Sequence, residues 1–401
     1  MKSEVSLASS EREGKLEFSL TTEQEMFRDT VRSWVERECP KSKSLEYEAQ
    51  EFDYPFELWD KMSKAGFHAI GLPEELGGQG GDVVTQMILT REMARSLAGL
   101  TWIYGINAFC AKSINKFARD EVREKLIPDM AAGRTRVAIS VTEPSGGTDL
   151  MGAMRTRAVK VDGGWRLTGQ KTWCTAAHVS DYLFMMARTE EIEDKPAKGV
   201  TLFLVPNPTE GLETRQIPKI GMRSVGSCDV FLDDVFVPDE FVVGEPGMGF
   251  YQMLETLNNE RIMVAALCTG IIDGTIEEIL DQLTNRTAFG KTIGSFQVWH
   301  QYVADMAMMQ TQAELLTYYA AWKSDQGTDC GREANMAKVT ASEYAGKCAD
   351  IAMQALGGLG YSLETQPQRY WRDARLYRIG PITNEMARNS IAETFGLPRS
   401  F

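Results

Sequence analysis

The sequence has little that could hold a metal. Its 401 residues contain three histidines, His68, His178 and His300. No carboxylate or thiol cluster surrounds them at ligand spacing, so no metal site is expected. Seven cysteines (39, 110, 174, 228, 268, 330 and 348) are scattered, odd in number and without a CxxC pair. That speaks against a disulfide framework and fits the reduced thiols of a cytoplasmic protein. Neither GxGxxG nor GxxxxGK[ST] occurs, so a Rossmann or P-loop assignment has no motif behind it. No apolar run reaches the roughly 18 uncharged residues of a membrane helix. The opening stretch, MKSEVSLASSEREGKLEFSL, lacks the apolar centre of a secretion signal. Positive charge is in deficit, with a net charge of −13. A global field of that sign argues against nucleic acid but leaves room for a local basic site for a small phosphorylated ligand.

What is present divides into three zones. Apolar residues make up 43% and charged residues 25%, ordinary for a globular chain. Its length implies two or three packed domains. Residues 1–17 read as a mobile polar tail. Residues 18–135 read as helical. In TTEQEMFRDTVRSWVERE, Phe27, Val31 and Val35 share a face, Thr21 or Thr22 can cap, and Pro40 stops the helix. From 136 to 245 the texture is β-rich: RVAISV, AVKVDGGWRLTG, DYLFMMAR, VTLFLVP and CDVFLDDVFVP, with Asp162-Gly163-Gly164 as a hairpin turn. This predicts a β-barrel or sandwich. From 246 to 401 long helices return. Tyr302, Met306, Met309, Ala313 and Leu316 step by four and three, the seam of a bundle. The order is therefore an N-terminal helical domain, a middle β-domain and a C-terminal four-helix bundle.

Four segments carry polar chemistry on small or aromatic residues. ISVTEPSGGTDL (139–150) leaves a strand as a loop whose amides and hydroxyls can approach a flat ligand. GQKTWCTAAH (169–178) sets Trp173 two residues before Thr175, on one face of a regular strand. NRTAFGKTIGSFQ (285–297) gathers Arg286, Phe289 and Gln297; an arginine fork suits a pyrophosphate. MQALGGLGY (353–361) ends a helix in glycines, more than a C-cap requires.

Taken together, these segments resemble the acyl-CoA dehydrogenases, flavoproteins that bind FAD. The resemblance spans residues 20–395. VTEPSGGTD resembles the family's TEPGAGSD loop, KTWCT its K-x-W-I-T strand, RTAFGKTIGSFQ its R-x-x-F-G-x-x-[IL]-x-x-x-Q segment, QALGGLGY its Q-x-x-G-G-x-G-[YF] turn, and WRDARLYRI its M-R-D-A-K segment. The resemblance implies that Val141, Thr142, Trp173 and Thr175 face the flavin, and that Thr148 lies near pantetheine or flavin phosphates. It implies that Arg286, Phe289, Gln297, Gln354, Gly357 and Gly358 bind the dinucleotide of a neighbouring subunit, and that Thr383 and Asn384 touch its adenosine half. A homo-oligomer follows, a dimer of dimers in most of the family. Acyl-CoA is the implied substrate and an electron-transfer flavoprotein the implied electron acceptor.

Many members carry a catalytic glutamate in the loop after the R-D-A-K segment. Here that loop reads IGPITNEM and places Pro381 at the glutamate's position. Members similar to isovaleryl-CoA dehydrogenase and crotonobetainyl-CoA reductase carry the glutamate on the first bundle helix instead, beside an arginine. The stretch LNNERI matches that arrangement: Glu260 becomes the expected base, Arg261 its neighbour, and Asn258 a pantetheine ligand that keeps an acceptor without charge. Proline lacks an N–H, so two arrangements stay open: Ile382 supplies the backbone donor to the thioester carbonyl, or the oxyanion pocket is shifted. Burial is expected to raise the Glu260 pKa. Four alternatives on the same fold stay open: a substrate on acyl carrier protein, reduction of an enoyl-CoA, a partner subunit without a base, and a flavin monooxygenase.

Overall fold

The structure, a computed structural model, describes residues 19–50, 53–192 and 195–399. The tail expected over 1–17 lies outside them. Six helices come first: α1 (Thr22–Glu38), α2 (Lys41–Ala49), α3 (Phe56–Lys64), α4 (Val83–Ser96), α5 (Ala98–Phe117) and α6 (Asp120–Ala131). Thr21 caps α1 by accepting from the Gln24 amide, and Gln24 reciprocates to the Thr21 amide, a capping box. The stripe expected on α1 faces inward through Val31 and Val35, with Trp34 also buried.

Eight strands follow: β1 (Val137–Ser140), β2 (Arg157–Val161), β3 (Gly164–Thr175), β4 (Tyr182–Arg188), β5 (Val200–Pro206), β6 (Leu212–Gln216), β7 (Ser227–Pro238) and β8 (Val242–Val243). They form one sheet in the order β6-β7-β3-β2-β4-β5-β8, with β1 parallel to β4. The β2–β3 hairpin closes at Asp162-Gly163, where Gly163 takes a φ of 74°; that turn type favours glycine. Strands β4 and β5 are buried on both faces. Phe184, Met186, Leu202 and Leu204 join one apolar core with α5 and α6, whereas Leu183, Met185, Phe203 and Val205 join a second core within the sheet domain. This is why these strands read as unbroken apolar runs rather than as alternation.

The last zone comprises α7 (Gly249–Asn285), α8 (Gln297–Asp325), α9 (Gly331–Leu356), α10 (Gln366–Leu376) and α11 (Asn384–Glu393). Helices α7 to α10 pack as a bundle, and α4 lies along α7. A Cβ on Gly270 of α7 would stand 2.2 Å from the Arg91 carbonyl oxygen of α4, so this close crossing needs glycine. Buried alanines at 334, 337, 341, 345 and 349 let α9 approach α7 in the same way. On α8, Met306 and Ala313 of the expected seam are buried, while Tyr302 is 38% exposed. No helix among the described residues is long and apolar enough to cross a membrane.

Candidate active site

Helices α4, α5 and α7 line a partly open pocket. On α7, Glu260, Met263, Val264 and Leu267 all line it. Their spacing of three, four and seven residues puts them on one helical face. Opposite stand Trp102, Gly105 and Phe109 of α5 and Thr90 of α4. The Trp102 indole N–H donates to the Tyr377 hydroxyl at 2.8 Å, which fixes the ring as a wall. An apolar pocket with one carboxylate is suited to an acyl chain with an acidic C–H.

Burial pushes the Glu260 carboxyl up to about 7, opposed by the neighbouring Arg261 charge. No hydrogen bond or ion pair engages that carboxylate among the described residues. Arg261 instead donates to Asn258 Oδ1 at 3.0 Å; the two are three apart and so share a face. Burial lowers the Arg261 pKa, with Glu260 and Cys330 opposing. The sequence pattern located Glu260, Arg261 and Asn258 on one helix turn. The pocket partners Trp102, Gly105 and Met263 were missed because which helices face α7 is a tertiary fact.

The segment joining α10 to α11 carries a cis Gly380–Pro381 bond and an exposed Pro381. The Ile382 N–H makes no hydrogen bond among the described residues, whereas the Ile382 carbonyl accepts from Lys338 Nζ at 2.5 Å. Thr383 caps α11 by accepting from the Met386 amide. Asn384 was expected at the adenosine half of a dinucleotide, but its side chain turns inward. It is 2% exposed, accepts from Lys338 Nζ at 2.8 Å, and reaches Ser342 and Glu343 through Nδ2. A buried amide is held where partners exist, and those partners lie on α9.

In the β-domain, Lys171 Nζ donates to Glu143 Oε1 at 2.7 Å and to the Val141 carbonyl at 3.2 Å. Glu143 also accepts from the Arg155 and Thr156 amides. The Thr172 amide donates to the Thr142 carbonyl at 2.9 Å. These bonds strap the loop after β1, with Val141 and Thr142, to β3. The two-residue alternation expected for Trp173 and Thr175 is interrupted: β3 shifts register against β7 between Lys171 and Cys174, and Trp173 takes a φ of 59°. A bulge re-aims a side chain in this way. Trp173 stands 56% exposed, an aromatic ring only partly covered by protein. Thr148 is exposed on the same loop.

Arg286, Phe289 and Gln297 gather at the α7–α8 connection, all exposed, with Phe289 94% so. The helix between Glu260 and Asn285 spans roughly 38 Å at 1.5 Å per residue. These three therefore do not share a ligand end with Glu260 of their own chain. Gln354, Gly357 and Gly358 are exposed where α9 ends. A Cβ on either glycine would meet nothing within 4 Å, which leaves open approach for a ligand.

The three zones thus run helical, β, helical, with a carboxylate in a pocket where helices of the first and last zones meet. The sequence matches the acyl-CoA dehydrogenase N-terminal domain over residues 21–134, the middle domain over 138–235 and the C-terminal domain over 247–396. The chain belongs to the acyl-CoA dehydrogenase family, FAD-dependent enzymes. An acyl-CoA dehydrogenase of Bacillus subtilis is 33% identical over 93% of this chain and 98% of its own. The CarC subunit of the caffeyl-CoA reductase–Etf complex of Acetobacterium woodii is 32% identical over 90% and 95%. Butyryl-CoA dehydrogenase from Megasphaera elsdenii superposes with a TM-score of 0.90 at 29% identity, covering 95% of this chain and 100% of that one.

Proposed function

We propose that the enzyme removes hydrogen from the α and β carbons of an acyl-CoA thioester, giving the trans-2-enoyl-CoA, with Glu260 as the base. The observation that carries this is a carboxylate in a largely apolar pocket, with no hydrogen bond or ion pair among the described residues and pushed up to about 7. A base tuned near working pH is about half ionised there and binds a proton well. The glutamate that other members carry after α10 is replaced here by Pro381, which leaves Glu260 to the task.

The residues fit FAD. Trp173 offers a partly covered aromatic ring on the same strand as Thr175, and the loop with Val141 and Thr142 is held to that strand by Lys171. Arg286, Phe289 and Gln297 of a neighbouring subunit, with Gln354, Gly357 and Gly358, would hold the dinucleotide, and Thr148 would lie near its phosphates or the pantetheine. Bound FAD supplies the two-electron oxidant that the dehydrogenation requires. Glu260 accepts the α-proton at its carboxylate oxygen. The unengaged Ile382 N–H donates to the thioester carbonyl as negative charge gathers there. Asn258 and Arg261 bind the pantetheine arm and keep Glu260 ionisable. The apolar walls at Trp102 and Met263 exclude water.

Electrons leave to an electron-transfer flavoprotein; the relation to a subunit of a reductase–Etf complex supports this partner. The same relation favours a second direction, reduction of an enoyl-CoA. A panel of saturated and unsaturated CoA thioesters, mixed anaerobically with the oxidised or reduced enzyme, separates the two. Bleaching of oxidised flavin by a saturated ester is expected. The Glu260→Gln enzyme should bleach about 10²- to 10⁴-fold more slowly; bleaching at the wild-type rate would remove Glu260 from the mechanism.

A further inference from the structure

Lysine 338 is a buried cation that the mechanism above leaves unused. It sits on α9 between Ala334, Ala337 and Ala341, fully buried. Its ammonium has two acceptors, the Ile382 carbonyl and Asn384 Oδ1. Both belong to the segment that offers the Ile382 N–H. Asn384 is in turn fixed by Ser342 and Glu343 of α9, and its amide N–H donates to the Arg378 carbonyl at 3.1 Å. The segment thus hangs from α9 on one lysine and one amide. An uncompensated charge in a protein interior carries a solvation penalty, and no carboxylate bonds to this one among the described residues. A methionine would fill the same space without that penalty.

We infer that Lys338 is a positioning residue: it fixes the backbone at Ile382 so that the adjacent N–H meets the thioester carbonyl, and its charge stabilises the enolate that forms there. The inference rests on the proposed role of this site. Burial lowers the Lys338 pKa to about 8; Cys268 of α7, Glu385 of α11 and Glu343 of α9 oppose the shift, and Arg261 of α7 adds to it. The charge is accordingly present at neutral pH and is lost as pH rises through about 8.

Acetoacetyl-CoA tests this without turnover, because its α-carbon ionises in the bound state and the enolate is read by ultraviolet absorbance. Lys338→Met should raise the apparent pKa of the bound ester by about one unit or more, a tenfold loss of enolate at a given pH. It should also lower kcat by about 10-fold or more while KM stays within about 3-fold. Lys338→Arg keeps the charge at all accessible pH values, so its activity should lose the alkaline limb near pH 8. Unchanged ester ionisation and kcat in a folded, flavin-loaded Lys338→Met enzyme would overturn the inference. So would losses that merely track lost flavin or lost fold. If the methionine variant does not fold, the arginine variant decides, since an unmoved alkaline limb overturns the inference. Ionisation of acetoacetyl-CoA needs no base from the protein to reach equilibrium. Failure of the Glu260 assignment, seen as wild-type bleaching by Glu260→Gln, is therefore distinguishable from failure of this one.

Discussion

A glutamate at position 260 is held at the expense of stability. Its pKa in the folded chain, about 7, lies above the ordinary 4.5. Between those values the folded chain binds more protons than the unfolded one, so stability falls as pH rises through that window and is lowest above it. Glu260→Gln should therefore raise stability at about pH 8 by about 2–3 kcal/mol, with the gain vanishing near pH 4. Thermal melts across pH check this, and a loss of stability at alkaline pH would contradict it. A side chain retained against stability is the mark of a functional group. In wild type, kcat/KM should climb through about pH 7 as Glu260 loses its proton. A flat profile there would assign the base elsewhere. Glu260 and Arg261 were legible in the sequence because they interrupt an apolar helix at the family's alternative base position. Lys338 was not, since a lysine among alanines reads as a solvated charge until the 378–384 segment is seen to cover it.

One buried ion pair straps the loop after β1 to β3. Lys171 and Glu143 are 0% and 3% exposed. Removing one partner leaves the other charge buried and alone. Lys171→Met should therefore cost about 3–5 kcal/mol, much of it restored when Glu143 is also made apolar. Denaturation of the two variants checks this, and an unchanged midpoint for Lys171→Met would show that water already compensates the pair. Both residues stand inside motifs that the sequence displayed, yet their pairing joins β3 to a loop 28 residues away and has no periodic signature. The bulge at Trp173 was equally hidden, because it arises from the register of β3 against β7. Helix α1 and the β2–β3 hairpin were legible, since a threonine cap and an Asp-Gly turn are local chemistry, although the choice of Thr21 over Thr22 and its exchange with Gln24 came from the structure. Strands β4 and β5 showed their existence but not their surroundings: burial on both faces erases the alternation that would tell one core from the other.

For the whole molecule, the helical, β, helical order emerged from texture alone, whereas the assembly did not. Phe289 at 94% exposure, with Arg286 and Gln297 beside it roughly 38 Å along α7 from Glu260, makes sense when the cofactor is shared between subunits. A Phe289→Ala/Arg286→Ala variant should lose FAD on gel filtration and dissociate together with that loss. Full FAD retained by a monomeric chain would contradict sharing. The account as a whole turns on proton removal by Glu260, and α-proton exchange measures that step apart from oxidation. A 3-thia-acyl-CoA, which carries an acidic α-carbon and no oxidisable β-carbon, is incubated in deuterated water with the flavin-loaded enzyme and followed by NMR. The wild-type enzyme is expected to exchange the α-proton and Glu260→Gln to leave it in place. Equal exchange by both would contradict the account.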